Sequence, residues 1–252
     1  MLKQINPSAI LRRPDAILFD TDNTLYDYGP ANALAERSVE AKVQNLLGVN
    51  TDIFRSTYQQ SKQQIKSQLG RTASSHSRLL YFQRVLELLG FKAQLMTALD
   101  LEQTFWRTFL ANAPLFPGVM DLLDDLRYNN IPIAIVTDLT SHIQLRKLTY
   151  FNLEETFDAV VTSEEVGADK PDSRNFNLAL EKLGLTTDHE IWMVGDNPET
   201  DIAGGRSIGA TTFQKIHRGG SVGTSNLAPD FTFRHFAELR NCVIKCISPD
   251  DT

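Results

Sequence analysis

Apolar and polar positions alternate differently in different parts of this chain. Residues 14–19 end in the apolar run Ala16-Ile17-Leu18-Phe19, which is too short for a helix and reads as a buried strand. From Asn32 to about Leu110 the spacing is helical. Leu34, Val39, Val43 and Leu46-Leu47 recur at three- and four-residue intervals before a stop at Gly48. Similar stretches cover 51–69 before Gly70, 75–89 before Gly90, and about 93–110. Beyond Phe116-Pro117-Gly118, strand-like runs at 131–137, 159–162, 191–194 and 211–213 alternate with helical segments. That alternation predicts βαβ units and a parallel sheet. Because 14–19 belongs with those later strands, the helical block is an insertion into a discontinuous α/β core.

The composition fits this reading and narrows the ligand. With 252 residues, 42% hydrophobic and 22% charged, the chain is ordinary for a soluble globule with a sizeable core. A net charge of −6 argues against nucleic acid and against an anionic membrane, both of which require a clustered basic surface. A small molecule is the expected partner. If that molecule is anionic, its site must supply local positive charge. Cys242 and Cys246, without a second pair, do not form a zinc site, and His76, His142, His189, His217 and His235 are scattered. Residues 1–13 lack the apolar centre of a signal peptide, and no run approaches the 18 apolar residues of a membrane span. The expected location is the cytoplasm.

The candidate chemistry stands where the predicted strands end, which is where open α/β sheets place their ligands. The first run leads into Asp20-Thr21-Asp22-Asn23-Thr24-Leu25. Taken alone, that segment is equally a solvated turn. The second run ends in Thr137-Asp138, and the third in Gly195-Asp196 with Asp201 in the following loop; Asp169-Lys170-Pro171-Asp172 lies between them. In an extended strand Asp20 and Asp22 would point to opposite sides, so a bend after Phe19 is expected if both serve one ligand.

The order D-x-D-x-T-L, strand-Thr, Lys-Pro, G-D-x4-D resembles the haloacid dehalogenase superfamily, over about residues 15 to 213. The resemblance implies a Rossmann-like doubly wound parallel sheet, with residues 1–26 and 115–252 as the core and 27–114 as a helical cap. It also implies a phosphatase of small phosphate monoesters, of nucleotide or sugar type, working through an aspartyl-phosphate with Mg2+. By the same resemblance Asp20 is the nucleophile, Asp22 the general acid and base, and Thr137 and Asp138 phosphate ligands. Lys170 stabilises charge, and Asp20, Asp22 (through its backbone carbonyl), Asp196 and Asp201 serve the metal. A carboxylate nucleophile divides a slow hydrolysis into two steps, and its partner must hold a proton while it does not.

Other activities share the scaffold. A dehalogenase would need neither Asp22 nor Mg2+. A phosphomutase of the β-phosphoglucomutase type resembles D-x-D-G-V, whereas this chain has Asn23-Thr24-Leu25, and a silent binding protein would be expected to have lost one of the acids. Selectivity is expected in the cap, in the turn 70–78 with its donors Arg71, His76 and Arg78, where Ser74 or Ser75 can instead cap the next helix. The stretch Gly219-Gly220-Ser221-Val222-Gly223-Thr224-Ser225-Asn226 reads as a flexible loop; no lysine follows it to make a phosphate cradle. The expected assembly is a monomer or a homodimer.

Overall fold

The structure, a computed structural model, describes residues 2–217 and 219–247. The chain forms two compact units: Met1–Asp27 with Leu115–Thr252, and Tyr28–Pro114.

The first unit opens with β1 (Lys3–Gln4) and β2 (Ala16–Phe19). The intervening unit contributes α1 (Tyr28–Leu47), α2 (Thr51–Leu69), α3 (Arg78–Leu88) and α4 (Leu95–Ala111). The first unit then resumes with α5 (Val119–Tyr128), β3 (Ile133–Thr137), α6 (Ser141–Tyr150), β4 (Ala159–Thr162), α7 (Ser163–Val166) and α8 (Ser173–Lys182). It continues through β5 (Ile191–Gly195), α9 (Ala203–Ser207), β6 (Thr211–Lys215), β7 (Phe231–Phe233) and α10 (Phe236–Ile247).

The strands form one sheet in the order β1-β7-β6-β5-β2-β3-β4, parallel throughout except where β1 meets β7. Central β2 pairs with β3 through Leu18↔Ala134 and with β5 through Leu18↔Met193. All residues of β2, β3 and β5 are buried, so these strands carry continuous apolar runs rather than alternating ones. One face of the sheet, with Leu18, Val136 and Met193, packs on Phe176, Ala179 and Leu180 of α8. The common register brings the C-terminal ends of β2, β3 and β5 side by side.

The helical unit buries Val39 and Val43 of α1, Phe54 and Tyr58 of α2, Phe82 and Val85 of α3, and Leu101, Phe105 and Phe109 of α4. Tyr58 stacks on Phe82 with ring centroids 5.6 Å apart.

Of the boundaries that differ from the sequence pattern, three have a local reason. Helix α1 begins at Tyr28 and takes in Pro30, which the first turn tolerates because its amides have no intrahelical partner. The expected helix over 75–89 divides into a single 3-10 turn, Ala73–His76, and α3. Ser77, not Ser74 or Ser75, accepts the Leu80 amide and caps α3. Strand β3 starts at Ile133, two residues later than the run predicts, because the Ile131 amide closes α5 by donating to the Leu126 carbonyl.

Candidate active site

Strand β2 stops at Phe19, but the Asp20 amide still donates to the Val194 carbonyl of β5 at 2.9 Å, so Asp20 is fixed by the sheet. The chain then turns back. The amides of Thr24 and Leu25 both return to the Thr21 carbonyl, and Asn23 takes a positive φ of 62°. The reversal therefore lies at Thr21–Leu25, slightly after the bend expected from the sequence. Thr24 uses it to donate its hydroxyl to Asp20 Oδ2 at 3.0 Å.

Lys170 is the hinge of the electrostatics. Its Nζ donates to Asp20 Oδ1 and Asp201 Oδ1, both at 2.7 Å, and to the Val136 carbonyl at 3.0 Å, with the side chain only 3% exposed. The Lys170 amide donates to Asp138 Oδ1 at 2.8 Å, so the Asp138 carboxylate braces the lysine loop and does not cap α6. Burial works against the ammonium, yet the charges of Asp20, Asp201 and Asp138 hold Lys170 well above the usual lysine range.

The acids feel the opposite balance. Burial drives Asp20 up to about 7 against the pull of Lys170, and the charge of Asp201 pushes it further. Asp196 is driven up to about 8 by burial and then by the charges of Asp20 and Asp201. Asp201 stands so close to the end of β5 that a Cβ on residue 195 would lie 2.3 Å from its own Cβ. Only glycine fits there, and this explains the Gly-Asp pair at that strand end. The second Asp201 oxygen accepts the Asn197 amide at 3.0 Å.

Asp20, Asp196 and Asp201 each offer a carboxylate oxygen within 4.8 Å of the others. When ionised, these three carboxylates outnumber the Lys170 ammonium that bridges two of them, and the donors are all oxygen. Such a set fits a hard divalent cation such as Mg2+ rather than a soft metal.

Thr137, the last residue of β3, places its hydroxyl 2.8 Å from that of Thr21 and accepts from Gln144 Nε2 at 2.9 Å. Asp22 is held by two residues that the sequence reading missed. Lys147 Nζ donates to its two oxygens at 2.8 and 3.2 Å, and the Tyr26 hydroxyl donates to Oδ1. The signal for Lys147 was present: Ile143, Gln144, Lys147 and Leu148 share the buried face of α6, and a lysine on an apolar stripe calls for a partner.

Arg71, His76 and Arg78 belong to the helical unit. Arg71 is exposed, His76 half-buried and Arg78 buried. The Arg78 guanidinium lies 5.5, 5.0 and 5.7 Å from the rings of Tyr81, Phe105 and Trp106 and donates to the His76 carbonyl and the Tyr28 hydroxyl.

Comparison with known proteins gives this arrangement a lineage. A family model for haloacid dehalogenase-like hydrolases matches residues 14–209, the span that carries every strand-end motif above. The chain is 39% identical over 198 residues to a ribulose-1,5-bisphosphate 5-phosphatase of Halopiger xanaduensis, covering 78% of this chain and 82% of that protein. It is 29% identical over 206 residues to a glyceraldehyde 3-phosphate phosphatase of Methanopyrus kandleri, covering 81% and 84%. Among solved structures, the magnesium-bound HAD-hydrolase YfnB of Bacillus subtilis superposes with a TM-score of 0.68 at 26% identity, over 92% of this chain and 99% of that one. The chain belongs to the haloacid dehalogenase-like hydrolases, as a phosphoric monoester hydrolase.

Proposed function

We propose that this protein is a Mg2+-dependent phosphatase of small phosphorylated metabolites that works through an aspartyl-phosphate on Asp20. The observation that carries the reading is the buried lysine shared by two acids: Lys170 Nζ lies 2.7 Å from both Asp20 and Asp201 at the strand ends. A buried ammonium and clustered acids at the strand ends, each with a strongly perturbed charge balance, are the kind of grouping that functional sites display.

Phosphoryl transfer asks a protein mainly for positioning and neutralisation of charge. In the first step an Asp20 carboxylate oxygen bonds to phosphorus while the bond to the leaving oxygen breaks. That oxygen keeps the electron pair and takes a proton from Asp22. In the second step Asp22, now a carboxylate, accepts a proton from water as the water oxygen bonds to phosphorus and Asp20 departs. Lys170 and the Thr137 hydroxyl face phosphate oxygens, and the Asp138 amide is a further donor. Asp20, Asp196, Asp201 and the backbone carbonyl of Asp22 would hold Mg2+, which supplies charge neutralisation for the phosphoryl group.

The names of the relatives suggest sugar phosphates as the substrate class, with nucleotide monophosphates next, since a pyrimidine 5'-nucleotidase of Escherichia coli is 37% identical over 131 residues. Arg71, His76 and Arg78 are the proposed selectivity residues. No described helix is long and apolar enough to cross a membrane, and the free thiols Cys242 and Cys246 suit a reducing cytoplasm.

Turnover of p-nitrophenyl phosphate tests the reading. Asp20→Asn is expected to abolish it with the fold intact, and EDTA is expected to silence the wild type. Activity surviving either treatment would overturn the mechanism.

A further inference from the structure

A buried amide behind the acids has no part in the chemistry above. Gln214 stands opposite Gly195 in the parallel register of β5 and β6, one residue from Asp196, and is 1% exposed. Its Nε2 donates to the Asp196 carbonyl at 2.9 Å and to the Ser221 carbonyl at 2.8 Å, and its Oε1 accepts the Gly223 amide at 3.0 Å. Both donors and the acceptor are engaged. Exchanging the oxygen and nitrogen would set an oxygen against two carbonyls and an NH2 against an N–H, so the partners fix the orientation.

The glycine- and serine-rich stretch 219–226 is therefore not a free loop as its composition suggests. It is fastened through one side chain to the residue that carries a candidate metal ligand. The fastening is close. A Cβ on Gly223 would lie 2.1 Å from the Leu227 carbonyl oxygen and 2.9 Å from Pro198 Cβ, and Arg206 ties the far end by donating to the Asn226 carbonyl at 2.8 Å. The same segment begins beside His217, whose Nε2 lies 3.2 Å from Asp196 Oδ2.

Asp196 needs such support because the ladder ends before it. Strand β5 stops at Gly195, and the next helical turn begins at Pro198. Asn197 is secured by its amide to Asp201 and by its side chain to the Glu199 amide. The Asp196 carbonyl points to Gln214.

We infer that Gln214 is a positioning residue for Asp196, clamping its backbone to segment 221–223 so that its carboxylate is held ready for a divalent cation. This rests on the proposed role of Asp196. Groups that orient metal ligands from behind typically contribute about 10- to 100-fold to metal affinity.

Calorimetric titration of the full chain with MgCl2 tests the clamp without relying on turnover. Wild type should take up Mg2+ and Asp196→Asn should not. Gln214→Leu should weaken the affinity by roughly 10- to 100-fold, with a smaller change in kcat at saturating Mg2+. Gly223→Ala disturbs the other end of the clamp, should shift affinity in the same direction, and decides the matter if Gln214→Leu does not fold. Wild type, Gln214→Leu and Gly223→Ala binding Mg2+ equally well while Asp196→Asn does not bind it would overturn the clamp and leave the metal role of Asp196 standing, and an Asp196→Asn that binds like wild type would overturn both. A wild type that takes up no Mg2+ would overturn both.

Discussion

Asp22, the proposed general acid and base, is held by side chains that stand outside the row of strand ends. Its carboxylate is held by Lys147 and Tyr26 from the side of α6 and the first turn, and the Lys147 ammonium lies 5.8 Å from the Tyr26 ring centroid. If this anchorage aims Asp22 at the leaving oxygen, its loss should matter in proportion to the need for a proton there. Lys147→Met is expected to slow alkyl phosphates by a factor approaching the roughly hundredfold value of general acid catalysis while changing p-nitrophenyl phosphate much less, because nitrophenolate departs without help. Equal losses on both substrates would assign Lys147 to folding. Asp20, Thr137 and Asp196 were legible in the sequence because each stands at a strand end, and Asp22, Lys170 and Asp201 because they follow in a recognisable order in the turns between the elements. Gln214 and the partner of Lys147 were not, because the contacts that reveal them lie 18 and 125 residues away in the chain, and the Tyr26 contact depends on the reversal at Thr21–Leu25.

At the level of elements, the site depends on where three strands stop. β2, β3 and β5 end side by side, so Asp20, Thr137 and Asp196 converge without any loop having to be long. The end of β5 is the least tolerant of the three, since Gly195 leaves room for Asp201 and nothing more. Gly195→Ala should displace the Asp201 carboxylate and lose Mg2+ affinity and turnover together, while circular dichroism still reports a folded protein; a variant with wild-type Mg2+ affinity would contradict the close approach. Buried strands and amphipathic helices were readable from periodicity because burial on two faces, or on one, leaves different patterns. Strands β1 and β7, with two and three residues, are too short to carry a period. The division of 75–89 at Ser77 depended on which of several serines caps, and helical spacing alone does not choose among them.

For the molecule as a whole, the clustered acids tie stability to pH, and the proposed Mg2+ would bear on the same groups. Asp20 and Asp196, raised to about 7 and about 8, keep protons in the folded state that an unfolded chain, with carboxyls near 4, releases earlier. The stability they contribute is fully present below pH about 4 and is lost as pH rises through their folded values. Metal-stripped protein should therefore melt progressively lower between pH 5 and 8, and saturating Mg2+ should remove most of that fall, because the cation replaces the protons. A melting temperature that rises over this range without metal would contradict the electrostatic account.

The central claim is that the phosphoryl group passes through Asp20. It is met most directly by quenching a single turnover in acid and mapping the phosphoryl group by mass spectrometry of the peptides. The account predicts one added phosphoryl mass on the peptide carrying Asp20, labile to hydroxylamine, absent when EDTA precedes substrate, and increased when Asp22→Asn slows breakdown more than formation. A reaction that releases phosphate while no peptide, in wild type or Asp22→Asn, ever carries the phosphoryl group, or one that places it elsewhere than Asp20, would contradict it.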